Sequence, residues 1–193
     1  MSLEIEAKMR VTDEAALLRQ LESLNAPYEG ELTETNIYFD TSQRLLKSSD
    51  QGLRIRTEQL PDGSQRVTLT HKGPRAHGHL KSRSETQVSV DDAGEAAALL
   101  RALGYTAVLS FEKRRRRWRV EACHVDLDTL PYLGQFVEIE GPSDEAVLSA
   151  RAKLGLAQTP LVRASYIAML ASYVHEHQLA TSAIRFEDDA EVA

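Results

Sequence analysis

The chain holds a single cysteine, Cys123, among 193 residues. That excludes an internal disulfide and any cysteine-based zinc cluster. No uninterrupted apolar run approaches the ~20 residues that span a bilayer, and the acidic start from Glu4 has no apolar segment of the signal-peptide kind. A cytoplasmic location without a membrane partner is the expectation. Positive charge is not in excess either: 23 Lys and Arg stand against 29 Asp and Glu, a net charge of −6. Such a balance argues against a general nucleic-acid partner. The phosphate-binding loops G-x-x-x-x-G-K-[ST] and G-x-G-x-x-G are missing, as is a G-x-S-x-G setting for a serine nucleophile. Among the histidines, His71, His77 and His79 fall in a stretch broken by Gly and Pro and read as loop residues. His175 and His177 are two apart on an expected helix and do not face each other.

What is present is alternation. In Glu4-Ile5-Glu6-Ala7-Lys8-Met9-Arg10-Val11, successive side chains of a strand point to opposite faces. Glu4, Glu6, Lys8 and Arg10 share one face; Ile5, Ala7, Met9 and Val11 share the other. The pattern returns in Leu53–Arg56, in Val67–Lys72 after the Pro61-Asp62-Gly63 turn, in Arg83–Val90, in Phe111–Val120, in His124–Asp128 and in Phe136–Glu140. Helices are expected after Thr12-Asp13-Glu14, after Asp91-Asp92, after Ser143-Asp144-Glu145, and from about Ala164 to His177, each with apolar residues at helical spacing. A strand is expected at Ile37-Tyr38-Phe39, closing at Asp40-Thr41, and residues 43–52 read as a connection. Neither a repeat nor a linker interrupts the chain, so a single domain over residues 1–178 is expected, with 179–193 as a loosely ordered, polar and acidic tail.

Seven or eight strands joined mostly by short turns suggest a curved antiparallel sheet or barrel. An ordinary small barrel would bury the apolar faces and leave the charges in water, giving the apolar helices little to cover. The inverted arrangement puts the apolar faces outward beneath the helices. Its lumen would then bring acids (Glu4, Glu6, Glu85, Asp126, Asp128, Glu138, Glu140) to bases (Lys8, Arg54, Arg56, Lys72, Arg83, Lys113, Arg115, Arg117). Periodicity alone leaves both open. A charged interior is costly unless its groups are paired, solvated or bound to metal. Carboxylates suit hard divalent cations, and Arg and Lys grip phosphate oxygens. The inverted form therefore calls for a polyphosphate carrying metal.

The Glu4-Ile5-Glu6-Ala7-Lys8 stretch resembles the E-x-E-x-K signature of the CYTH family, also called triphosphate tunnel metalloenzymes. Further matches follow in the family's order. They are Tyr38-Phe39-Asp40-Thr41, Leu53-Arg54-Ile55-Arg56, Lys72-Gly73-Pro74, Arg83-Ser84-Glu85, the segment from Asp128 through Leu133-Gly134-Gln135-Phe136-Val137-Glu138-Ile139-Glu140, and Ser165-Tyr166. The resemblance spans about residues 4–170. It implies an α+β fold: an eight-stranded antiparallel β-barrel forming a charged tunnel, with helices packed outside. It also implies Mg²⁺ or Mn²⁺ held by Glu4, Glu6, Glu85, Asp128, Glu138 and Glu140. Triphosphate would be bound by Lys8, Arg54, Arg56, Lys72, Arg83, Lys113 and Arg115, and catalysis carried by Glu4, Glu6, Lys8, Glu138 and Glu140. Gln87 stands where some members carry a second acid after Glu85.

Three functions are consistent with that resemblance. One is metal-dependent hydrolysis of a small-molecule triphosphate, inorganic or organic. Another is a class IV-type adenylate cyclase, making cyclic AMP and pyrophosphate from ATP. The third is a non-catalytic module that binds polyphosphate or nucleotide. No strong adenine-recognition signature is visible, which favours the hydrolase. An apparently complete acid set disfavours the pure binder. The oligomeric state, monomer or homodimer, is left open.

Overall fold

A computed structural model describes residues 2–76, 78 and 80–189. Eight strands form the frame: β1 (Ser2–Arg10), β2 (Tyr28–Thr41), β3 (Gly52–Gln59), β4 (Gln65–Arg75), β5 (Lys81–Val90), β6 (Tyr105–Val120), β7 (Cys123–Leu130) and β8 (Gly134–Glu140). They run β2-β3-β4-β5-β1-β8-β7-β6, every neighbouring pair antiparallel, and β2 pairs with β6 to close the barrel. Closure removes the exposed edges that an open sheet would carry.

The inverted arrangement is the one adopted. Ile5, Ala7 and Met9 of β1, Val125 and Leu127 of β7 and Val137 and Ile139 of β8 point outward and are buried. Above them lie α1 (Glu14–Ser23) and α4 (Asp144–Lys153), which contribute Leu17, Leu21, Val147 and Ala150. A second outer layer packs Phe39, Ile55 and Val67 beneath Ala97 and Leu100 of α3 (Ala93–Ala102). Each fully buried Leu or Val side chain contributes about 1.5–3 kcal/mol. The helices start within about two residues of where the sequence places them. The Asp13, Asp92, Ser143 and Ser165 side chains accept from the backbone N–H groups of Ala16, Glu95, Ala146 and Ala168.

Register carries the opposite parity around the inside. Lys8 lies opposite Glu138, which lies opposite Asp126. Arg115 lies opposite Asp128, Lys113 opposite Glu34, and Asn36 opposite Arg56. Lys72 faces Glu85, and Glu4 faces Arg83.

The interior is not charged throughout. Phe111, Leu130 and Phe136 continue the inward parity of Lys113, Asp128 and Glu138. They are buried with Tyr166 and Leu170 of α5 (Tyr166–Glu176). Phe136 and Tyr166 meet edge to face at 5.4 Å, so α5 and this apolar cluster fill that part of the lumen.

Three expectations are corrected. The presumed connection over residues 43–52 contains a one-turn helix, α2 (Leu45–Ser48), because Asp40 accepts from the N–H groups of Leu46 and Lys47 at 3.0 Å. β2 begins at Tyr28, well before the Ile37-Tyr38-Phe39 core expected of it. Past Leu179 the chain is not simply a loose tail. Ala183–Ile184 form β9, parallel to β6, before the short α6 (Phe186–Asp189). β7 pairs with β6 only from Arg114 onward, which leaves the edge at Ser110 and Phe111 for β9, and Ile184 is fully buried there. His77, His79 and residues 190–193 lie outside the described residues.

Candidate active site

The lumen opens into a cavity of about 1500 Å³. Its walls include Glu4, Glu6, Lys8, Arg54, Arg56, Lys72, Arg83, Glu85, Lys113, Arg115, Glu138 and Glu140. Strands that lie far apart in sequence thus bring all but one of the expected site residues to one space. The exception is Asp128, expected among the metal ligands, which does not line the cavity. Its carboxylate is fully buried in the wall, 2.7 Å from both Nε and Nη2 of Arg115, 3.1 Å from Lys113 Nζ and 3.0 Å from the Tyr166 hydroxyl. Burial pushes the Asp128 carboxyl pKa up, and the two cations work against that. Structurally it anchors bases.

Arg115 is the hub of that wall. Nε and Nη2 bind Asp128, Nη2 also reaches Glu138 at 2.7 Å, and Nη1 reaches Asp126 at 2.6 Å. Glu34 lies 3.7 Å from Nε. Every guanidinium nitrogen of Arg115 is thus directed at a carboxylate, and its pKa is raised well above its ordinary value because these acids outweigh burial. Glu34 is fully buried and also holds Lys113 at 3.2 Å and Arg56 at 3.0 Å, while Asn36 accepts from Arg56 Nε at 3.0 Å. Burial would raise the Glu34 pKa; Arg56, Lys113 and Arg115 outweigh it and hold the carboxyl well below the usual range.

Other cavity bases meet acids directly. Lys72 lies 2.6 Å from Glu4 and 2.9 Å from Glu85, Lys81 pairs with Glu6, and Lys8 lies 3.3 Å from Glu138. Lys8 also sits 3.7 Å above the Tyr166 ring, a favourable cation–π contact. Arg54 differs. It is 6% exposed, its Nε is buried without a partner, and it makes neither a hydrogen bond nor an ion pair with any described residue.

The acids show the opposite imbalance. Glu4 Oε2 is buried without a partner. Burial, then Glu4 and Glu6, push the Glu140 carboxyl up to about 6, although much of that residue is accessible from the cavity. Glu140, raised in this way and without an ion-pair partner among the described residues, is a carboxylate short of positive charge. The all-oxygen chemistry of these acids fits Mg²⁺ or Mn²⁺. As arranged, among the described residues no three acid, Cys or His side chains stand close enough together to hold an ion, because Lys72 and Lys81 lie against Glu4 and Glu6.

Sequence reasoning passed over Lys81, Glu34 and Asn36. Lys81 shares the inward parity of Arg83 and Glu85, so starting β5 two residues earlier would have found it. Glu34 and Asn36 share the parity of Tyr38.

A closed antiparallel barrel with helices outside and a lumen lined by acids beside bases is a tunnel fold. The CYTH domain family matches residues 2–166, and the chain belongs to that family. Adenylate cyclase CyaB of Aeromonas hydrophila is 35% identical over 173 residues, which cover 84% of this chain and 86% of that one. The PH1819 protein of Pyrococcus horikoshii OT3 superposes with a TM-score of 0.78 at 28% identity, over 88% of this chain and 99% of that one. HpAC1 from Hippeastrum, for which a dominant triphosphatase activity is described, shares the fold. Its TM-score is 0.64 at 21% identity, over 88% of this chain and 96% of that one. Family members of this kind are enzymes, adenylate cyclases or triphosphatases.

Proposed function

We propose that the chain is a metal-dependent triphosphatase that hydrolyses a phosphoanhydride bond of a triphosphate bound in the lumen. The observation that carries this reading is Arg54, a guanidinium buried in the cavity wall that makes no direct ion pair and whose Nε has no hydrogen-bond partner, with Glu34, Glu85 and Glu4 acting on it only from beyond contact. A buried guanidinium keeps unused donors unless an acceptor reaches them, and a polyanion in the cavity supplies that acceptor. Arg56, Lys113 and Lys8, each already held by a wall carboxylate or carbonyl, present pre-oriented positive charge to the same ligand. Catalysis of phosphoryl transfer is mainly positioning and charge stabilisation, which such fixed groups provide without reorganisation.

Glu4, Glu6, Glu138 and Glu140, with Glu85, are the residues that would hold Mg²⁺ or Mn²⁺. When bound, the ion would neutralise phosphate charge and lower the pKa of water. Lys72 and Lys81 pair with Glu4, Glu85 and Glu6. As ligand enters, both lysines are placed to turn from these acids to phosphate oxygens.

A second reading is favoured by the 35% identity with adenylate cyclase CyaB: the attacking group would be the ribose 3′-hydroxyl of ATP instead of water. The test is product analysis with tripolyphosphate, thiamine triphosphate and ATP, each with Mg²⁺ or Mn²⁺. Phosphate release that Glu6→Ala abolishes supports the hydrolase. Cyclic AMP with pyrophosphate from ATP replaces it with the cyclase. Tight triphosphate binding without turnover of any of the three leaves a binding module.

A further inference from the structure

Asp40, at the end of β2, has no part in the reading above, yet the fold gives it a definite task. It is 4% exposed. Its Oδ1 accepts from the N–H groups of Thr41 at 2.8 Å and Leu46 at 3.0 Å, and its Oδ2 from that of Lys47 at 3.0 Å. The Thr41 hydroxyl oxygen accepts from the Leu45 N–H at 3.1 Å. A single helical turn such as α2 does not persist alone; these bonds fix it. It sits at the end of the barrel where β2 and β4 finish and β3 and β5 begin, and it brings Arg44 and Lys47 to the cavity wall.

Both bases are exposed, and their side chains make neither a hydrogen bond nor an ion pair with any described residue. On β5, Arg83 also lines the cavity. Its Nε is buried without a partner, and its one ion pair among the described residues is to Asp50, at 3.8 Å. Asp50 is already taken by Arg75, whose backbone N–H and Nε donate to it at 3.0 Å. Across the cleft, α5 contributes the uncharged Ala168, Ala171 and Ser172. Arg44, Lys47, Arg75 and Arg83 thus face only Asp50 and the backbone-held Asp40 at this mouth. The opposite mouth, where β3 and β8 end, is different. There Arg66 is held by Glu58 at 2.5 Å and Arg117 by Asp126 at 2.6 Å, and Glu140 is left without an ion pair. An anion is drawn to one end of the lumen and not to the other.

Resting on the reading of the lumen as a triphosphate site, we propose that the triphosphate enters between α2 and α5, and that Arg44 and Lys47 form an outer capture site for it. A cleft lined by charge of one sign concentrates its counter-ion and speeds association by about 10-fold or more. From the two exposed bases the polyanion passes to Arg83 and on to Arg54. Asp40 is a positioning residue for this site, since its carboxylate sets the turn that carries both bases. Arg44 and Lys47 act on arrival and not on bond breaking.

The test compares charge removal at the two mouths, Arg44→Gln with Lys47→Gln against Arg66→Gln. Association of tripolyphosphate is followed by stopped-flow tyrosine fluorescence, since Tyr38 and Tyr166 line the cavity, in EDTA so that no turnover intrudes. At about 20 mM ionic strength the double variant should associate about 10-fold more slowly than wild type. At about 0.5 M, where the Debye length is about 4 Å, the difference should shrink to under about two-fold. Arg44→Lys with Lys47→Arg should keep the wild-type rate, and Arg66→Gln should change it by less than about two-fold. An unchanged rate in the double variant overturns the proposal. So does a loss of equal size at both ionic strengths, which marks a lesion in α2, or a larger loss in Arg66→Gln. If the wild type binds tripolyphosphate and turns over no triphosphate, the triphosphatase reading fails while the capture site is judged by the same rates. If the wild type binds no tripolyphosphate, both fail.

Discussion

Replacing Arg115 with Met removes the charge around which one wall of the lumen is assembled. The methionine fills much of the same volume, but Asp126, Asp128 and Glu138 lose partners at 2.6–2.7 Å and Glu34 loses one at 3.7 Å. Asp128 and Glu34 are fully buried, so water does not replace the guanidinium. Breaking a buried pair by removing one partner costs about 3–5 kcal/mol. For a chain of this size each kcal/mol moves the midpoint by about 2–4 °C, so Tm should fall by about 6–20 °C. The pH dependence has a definite sign. Glu34 has a folded-state pKa below its unfolded value. It therefore contributes stability that is present above about pH 4.5 and lost as pH falls through the folded-state value. Without Arg115 that depression is smaller, so the deficit of the variant should be widest near neutral pH and narrow below about pH 4.5. Urea denaturation at pH 7 and pH 3.5 measures both. A loss under about 1 kcal/mol at pH 7, or a deficit that widens on acidification, refutes the role assigned to Arg115.

Arg54→Gln should leave the circular dichroism spectrum unchanged and weaken tripolyphosphate binding about 10–100-fold by calorimetry, the worth of charge-assisted hydrogen bonds. Gly141→Ala should cost about 1–3 kcal/mol. The new Cβ would lie 2.6 Å from Cys123 Sγ and 3.0 Å from Val147 Cγ2, both in the core, and adding Cys123→Ala should recover part of that loss. Ile184→Ala, in the two-residue β9, should cost about 2–4 kcal/mol, read as a lower urea midpoint.

The strands were legible because their alternation has period two, and so was the grouping of charges: Glu4, Glu6 and Lys8 share a face whichever way the barrel is built. Which face is inside was not legible from periodicity, since both packings satisfy it. The run of family motifs pointed to the inverted form, and the outward burial of Ile5, Ala7 and Met9 shows it. Glu34 escaped notice because its stretch of β2, Leu32-Thr33-Glu34-Thr35-Asn36, has threonine on the outer face and reads as polar loop. The choice of partners was beyond the sequence altogether. Asp128 could not be told from a cavity-lining acid without Tyr166, 38 residues later in the chain, reaching its carboxylate. The apolar end of the lumen was hidden for a related reason. Phe111, Leu130 and Phe136 keep the parity of the charged positions while changing their chemistry, and only α5 makes that change favourable.

The short β9 has a significance out of proportion to its two residues. β6 is 16 residues long and β7 is 8, so β6 extends past the end of β7's pairing with free backbone groups. Ala183 and Ile184 cover that overhang at Ser110 and Phe111, and the Ser110 N–H donates to the Ser182 carbonyl at 2.7 Å. An uncovered strand edge is a template on which another chain can add a strand. A protein shortened before Ser182 would keep its tunnel residues and gain an adhesive margin, so that self-association at high concentration, not loss of the lumen, would be the first mark of the missing segment.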